Sequence, residues 1–195
     1  MISLMRIREY LDYRLTHPFV GILSRSGISP NALTLIGLAV DIGAAYVIAT
    51  GHFFYGGGLI LISGLFDLLD GALARFSKQD TKFGAVLDST VDRIAEAAIF
   101  LGLLLHFISK GSTLEIVLIF LVMVGSFMVS YVRARAEGEG LGCKVGWFTR
   151  AERILVLAIC LLLNQIFIAL WILVVFIYIT MIQRLVYLNK TLKKG

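Results

Sequence analysis

The sequence predicts an all-α integral membrane protein, with six transmembrane helices preceded by an N-terminal amphipathic interfacial helix. Three observations carry that expectation. Of 195 residues, 58% are hydrophobic and only 16% charged, whereas soluble globular proteins carry about 25% charged residues. With a mean hydropathy of +0.89, a chain this small has too much surface to hide its apolar side chains from water. Second, six apolar segments approach or exceed the length needed to cross roughly 30 Å of hydrocarbon at about 1.5 Å per residue. Third, the basic residues gather on alternate sides of those segments. The two cysteines, Cys143 and Cys160, have no C-x-x-C spacing, which excludes a disulfide scaffold, a redox motif and a zinc module.

The elements follow in chain order. Ile2, Met5, Ile7, Tyr10, Leu11 and Leu15 recur at helical spacing among Arg6, Arg8, Glu9, Asp12 and Arg14, the pattern of a helix lying on a membrane surface. The same residues lack the continuous apolar core of a secretory signal. Residues 1–29 are therefore read as interfacial helix and linker, and Pro18 and Pro30, the only prolines, interrupt the chain before the first span. The spans fall at approximately 31–50, 54–76, 84–108, 114–136, 151–166 and 167–189, so that 31–189 holds all six. The fifth is short, and only Asn164-Gln165 separates it from the sixth. Residues 140–150, rich in glycine, form the longest loop. No repeat or linker divides residues 1–195, so a single membrane domain is expected.

Arg75, Lys78 and Lys82 lie between spans two and three, and further basic residues run from Arg133 to Arg153 and beyond span six. The opposite loops hold only Lys110. By the positive-inside rule both termini, and the loops at 77–83 and 137–150, are cytoplasmic in a multi-pass cell-membrane protein. The net charge of +5 then reflects topology and anionic lipid or substrate, and nucleic-acid binding is not indicated.

Four aspartates stand where hydrocarbon disfavours them: Asp67 and Asp70 near the end of span two, Asp88 and Asp92 near the start of span three. Each costs roughly 2.5–3.5 kcal/mol on insertion scales, about 10–14 kcal/mol together if left unpaired. Asp67, Asp70, Gly71 and Ala74 share one helix face, as do Gly84, Asp88, Asp92 and Glu96. A hairpin centred near residue 79 places Asp70 and Asp88 nine residues either side, and Asp67 and Asp92 twelve and thirteen. Folding it brings Asp70 beside Asp88 and Asp67 near Asp92. Gly71, Ala74 and Gly84 let helices and a ligand approach closely. Clustered carboxylates without His or Cys suit hard cations, two of which four acids can hold near the cytoplasmic mouth. A proton relay or a helix-packing network is the other reading of the same spacing.

Asp67, Asp70, Gly71, Ala74, Arg75, Gly84, Asp88 and Asp92 fit D-x-x-D-G-x-x-A-R-x8-G-x3-D-x3-D without departure. The pattern resembles the signature of the CDP-alcohol phosphotransferase family, and the resemblance extends over essentially the whole chain. It implies that Asp67, Asp70, Asp88 and Asp92 surround two Mg2+ ions, with Mn2+ the alternative, and that Asp92 also acts as general base. It implies that Gly71, Ala74, Arg75, Thr81 and Gly84 line the CDP-lipid site. Asn31 and Thr34, in a segment similar to the family's P-N-x-x-T, border that site. The implied reaction transfers a phosphatidyl-type group from a CDP-lipid to an alcohol and releases CMP; a homodimer is also implied.

Residues 130–138 and 144–153 resemble the inositol phosphate branch of the family. Arg133, Arg135, Lys144, Arg150 and Arg153 give five cations near the cytoplasmic mouth for an anionic acceptor's phosphate, although cytoplasmic loops are basic in any case. Inositol 1-phosphate is the expected acceptor and glycerol 3-phosphate the nearest competitor. Two other classes are weighed. An intramembrane prenyltransferase should show two separated acidic motifs and more spans, and a small cation or proton transporter has no use for the fixed Gly71, Ala74, Arg75 and Gly84. His17, His52 and His106 are isolated. Asp41, inside span one, lies outside the pattern, and Glu96 is read as a neighbour supporting the acids.

Overall fold

A computed structural model of the chain describes residues 21, 23, 27–77, 81–143 and 145–193. These residues form six long helices and no strand: α1 (Pro30–Ala49), α2 (Phe53–Ser77), α3 (Lys82–Lys110), α4 (Thr113–Gly138), α5 (Arg150–Leu162) and α6 (Ile166–Leu192). Of the expected interfacial helix, residues 1–20, 22 and 24–26 lie outside the described residues, as does Lys144. Gly21 and Leu23 are helical, and Leu23 packs against Ala72 and Leu73 of α2.

Local chemistry sets the helix ends. Ser29 caps α1, its hydroxyl accepting the Ala32 N–H at 3.2 Å. Pro30 follows at the first helical position, where its missing N–H costs nothing; it starts the span. Thr81 caps α3 by accepting the Gly84 N–H at 2.9 Å. At the start of α5 the Thr149 N–H donates to Glu152 Oε2 at 2.8 Å, half of a capping box. α5 ends at Leu162, short of the expected 166, because Asn164 adopts a left-handed conformation with φ 54°.

Among the described residues, α1, α2, α4 and α6 are both long and apolar enough to cross a bilayer. α3, with 29 residues, is long enough but concentrates Lys82, Asp88, Asp92, Arg93 and Glu96 in its first half. α5 has 13 residues and is about 20 Å long. Leu35, Ile42, Tyr46, Phe120 and Ile182 are among many large apolar side chains left exposed, an outer face suited to hydrocarbon and unsuited to water.

The helices contribute to two compact units. The first is the chain as far as Gly43 together with Leu59–Glu96; the second is Ala44–Gly58 with Ala97–Gly195. In the first, α1 and α2 approach closely at Gly37, where a Cβ would stand 3.4 Å from Phe66 Cβ. In the second, α6 packs against α4 and α5 around buried Ile119, Leu157, Leu161, Leu170, Leu173 and Ile177. Glycine permits close approach there: a Cβ at Gly102 would lie 2.3 Å from the Ala45 carbonyl oxygen, and one at Gly125 2.6 Å from Ile177 Cγ2.

Candidate active site

The first unit brings acids from α2 and α3 together. Carboxylate oxygens of Asp67, Asp70 and Asp88 all lie within 4.8 Å of one another. The three-residue step from Asp67 to Asp70 keeps both on one face of α2, and Asp88 meets them from α3. Asp70 is buried, Asp88 half-buried and Asp67 exposed. The Thr34 hydroxyl of α1 donates to Asp70 Oδ2 at 2.6 Å, holding one oxygen of that carboxylate. Asp92 is not in the close group; its Oδ2 lies 3.3 Å from Arg93 Nη1. Asp70 thus stands beside Asp88 as the hairpin count predicts, with Asp67 as the third member of the group.

A cleft of about 230 Å3 opens beside these acids. Pro30, Asn31, Thr34, Asp70, Gly71, Ala74, Arg75, Thr81, Gly84, Ala85 and Asp88 line it. All seven residues assigned from sequence to the nucleotide-lipid site are among them. Gly84 is there for space. A Cβ at Gly84 would press on Thr81 Oγ1 at 3.0 Å and Asn31 Oδ1 at 3.4 Å, and one at Gly71 would lie 3.6 Å from Arg75 Nη1. The cleft therefore presents carboxylates, a guanidinium at the end of α2 and small residues that keep the backbone open. Three like charges this close are relieved by a cation between them. Their donor set is all oxygen, with no imidazole or thiolate, which fits a hard divalent ion.

The basic residues expected to meet an acceptor phosphate belong to the second unit and differ in setting. Arg133 and Arg135 are exposed and each pairs with a glutamate four residues on, Glu137 at 2.8 Å and Glu139, just past the end of α4, at 2.5 Å. Arg153, in the first turn of α5, is buried, with only 2% of its surface exposed. Sequence reasoning missed Arg184, buried in α6. It donates from Nη1 to the Val129 carbonyl at 2.5 Å and from Nε to the Val145 carbonyl at 2.9 Å. The signal was available, since Gln183-Arg184 interrupts an apolar span and a cation there calls for buried acceptors. Arg184 straps the loop before α5, and a Cβ at Gly146 (φ 125°) would meet Thr180 at 2.7 Å. Asp41 pairs with Ser63, whose hydroxyl donates to Asp41 Oδ2 at 2.7 Å.

Bilayer-length apolar helices and a polar, carboxylate-lined cleft suited to a divalent ion and a phosphorylated ligand define a helical membrane enzyme. The comparisons make the class specific. The chain belongs to the CDP-alcohol phosphatidyltransferase family, whose sequence profile matches residues 27–185. It is 37% identical over 181 residues to the phosphatidylinositol phosphate synthase of Mycobacteroides abscessus, covering 88% of this chain and 82% of that protein. It is also 37% identical over 174 residues to the archaetidylinositol phosphate synthase of Pyrococcus horikoshii, covering 89% and 90% of the two chains. Its fold matches the crystal structure of the Mycobacterium tuberculosis phosphatidylinositol phosphate synthase with CDP-DAG bound. The TM-score is 0.80 and the identity 33%, over 88% of this chain and 92% of that one. The same mycobacterial enzyme has been solved with manganese and citrate. The chain is thus a CDP-alcohol phosphotransferase, an enzyme of phospholipid biosynthesis.

Proposed function

We propose that this enzyme transfers a diacylglycerol- or archaeol-phosphate group from a CDP-lipid to a hydroxyl of inositol 1-phosphate, releasing CMP. The observation that carries the reading is the convergence of Asp67, Asp70 and Asp88 on a cleft whose lining includes every residue expected to hold the nucleotide-lipid. The acceptor oxygen attacks the lipid-linked phosphorus as its bond to the CMP oxygen breaks, and CMP leaves carrying the displaced phosphate oxygen. Asp92, one turn beyond Asp88 on α3, takes the hydroxyl proton. Thr34 fixes the orientation of Asp70. Arg75, at the cleft wall, attracts the diphosphate, while Gly71 and Gly84 leave room for it.

Asp67, Asp70 and Asp88, joined by Asp92, would hold two divalent ions, Mg2+ with Mn2+ as the alternative. When bound, those ions supply charge neutralisation at the diphosphate and at the developing leaving group. The acceptor's phosphate is held by cations from Arg133, Arg135, Lys144, Arg150 and Arg153. Arg133 and Arg135 must first release their glutamates to do so. The inositol phosphate assignment draws on the two synthases that match this chain over most of their length.

We further propose that all six helices are membrane spans of one domain, that both termini and the cleft face the cytoplasm, and that the enzyme works as a homodimer. The Lys/Arg distribution supports the orientation. Purified protein supplied with a CDP-lipid, Mg2+ and a panel of inositol 1-phosphate, glycerol 3-phosphate, free inositol and serine tests the reading through CMP release, with Asp92→Asn as blank. Release with inositol 1-phosphate alone is expected. Release with glycerol 3-phosphate instead would overturn the acceptor assignment while leaving the chemistry intact.

A further inference from the structure

We infer that Asp41 and Ser63 are positioning residues, a buried register lock between α1 and α2 that sets Thr34 against Asp70. The inference rests on the reading that Asp67, Asp70 and Asp88 hold a divalent cation.

Two polar rungs join these helices. In one, the Thr34 hydroxyl of α1 donates to the Asp70 carboxylate of α2 at 2.6 Å. In the other the roles are exchanged, the Ser63 hydroxyl of α2 donating to the Asp41 carboxylate of α1 at 2.7 Å. Thr34 and Asp41 are seven residues apart, and so are Ser63 and Asp70. Seven residues make nearly two turns, so both rungs lie on one face of each helix, about 10 Å apart along the axis. All four side chains are buried, none more than 9% exposed. Between the rungs Gly37 meets Phe66, with 3.4 Å from an ideal Cβ to Phe66 Cβ, and the Ser63 hydroxyl also lies 3.1 Å from the Gly37 carbonyl.

Apolar contacts alone hold register weakly in hydrocarbon, because lipid tails compete with them on equal terms. A buried polar pair fixes it, since any slide leaves both partners without their mates. Moving α1 by one turn displaces Thr34 by about 5.4 Å and ends its contact with Asp70. Asp41 belongs to the rung farther from the Thr34–Asp70 contact. Its effect is transmitted through α1.

The test uses purified full-length protein, Mn2+ binding followed by electron paramagnetic resonance, and disulfide cross-linking of Gly37→Cys with Phe66→Cys in a background lacking Cys143 and Cys160. Asp41→Leu and Ser63→Ala should each weaken Mn2+ binding by about tenfold and slow the cross-link, with KM for the CDP-lipid rising more than kcat falls. Asp41→Asn, which still accepts the Ser63 proton, should match the parent protein. So should the exchanged pair Asp41→Ser with Ser63→Asp, which rebuilds the rung in the opposite sense and keeps the test usable if Asp41→Leu fails to fold. Unchanged cross-linking and Mn2+ affinity in folded Ser63→Ala would overturn the inference, as would a folded exchanged pair that has lost Mn2+ binding. Parent protein binding Mn2+ no better than Asp70→Asn would instead refute the metal reading. The cross-linking result still reports on the lock in that case.

Discussion

Replacing Thr34 by valine keeps the branched shape and removes the hydroxyl that donates to Asp70 Oδ2 at 2.6 Å. Thr34 and Asp70 are 9% and 6% exposed, so water has little access to the place the hydroxyl leaves. A hydrogen bond to a charged group contributes about 1.5–3 kcal/mol, and about 1.4 kcal/mol is a factor of ten in an equilibrium constant. Loss of a group that orients a metal ligand commonly costs about 10- to 100-fold in affinity, and the two figures agree. Thr34→Val should therefore bind Mn2+ roughly 10- to 100-fold more weakly and need correspondingly more Mg2+ for CMP release. Thr34→Ser, which retains the donor, should stay near the parent protein. The assay is an Mn2+ titration on detergent-solubilised protein of unchanged melting temperature. Affinity for Thr34→Val within about threefold of the parent, or tighter, would refute the claim that the α1 hydroxyl orients Asp70 as a ligand.

Four further outcomes follow from the same geometry. Asp88→Asn should abolish high-affinity Mn2+ binding and CMP release together, checked by the same titration and a radiolabelled-nucleotide assay. Asp92→Asn should also abolish CMP release while weakening Mn2+ binding less than Asp88→Asn does, because Asp92 stands outside the close group of acids; CMP release that survives in folded Asp92→Asn would count against its role as base. Gly102→Ala forces a Cβ to within 2.3 Å of the Ala45 carbonyl and should destabilise by about 1–3 kcal/mol. Gly43→Ala, which meets nothing, should be neutral or stabilising in thermal melts. Arg184→Leu removes two donors to backbone carbonyls and should speed maleimide labelling of the buried Cys143, an effect that Arg184→Lys, lacking the planar fork, should share.

Much of this arrangement is legible in the sequence. The apolar runs and the polar breaks between them match the six helices to within a few residues. Helical periodicity and hairpin counting brought Asp70 beside Asp88, and the small residues at Gly71 and Gly84 marked the cleft. Three features escaped for physical reasons. The end of α5 depends on a left-handed Asn164, a conformation no hydropathy pattern encodes. The Asp41–Ser63 rung needs the α1–α2 register, which two apolar sequences do not specify. The pairs that Arg133 and Arg135 make with Glu137 and Glu139 depend on side-chain rotamers that the four-residue spacing permits without fixing.

The contacts that build the cleft have a consequence for biogenesis. Every described residue lining it lies between Pro30 and Asp88, in three helices and the cap of the third, which emerge one after another from the ribosome. Asp70 finds its donor, Thr34, in a helix already made, and the acids of α2 and α3 need only a short loop to meet, whose closure costs little entropy. Synthesis can thus complete the acidic pocket while the rest of the chain is still being translated. Mutations that lengthen the chain between Ser77 and Thr81 should be felt first in insertion yield, before any effect on turnover.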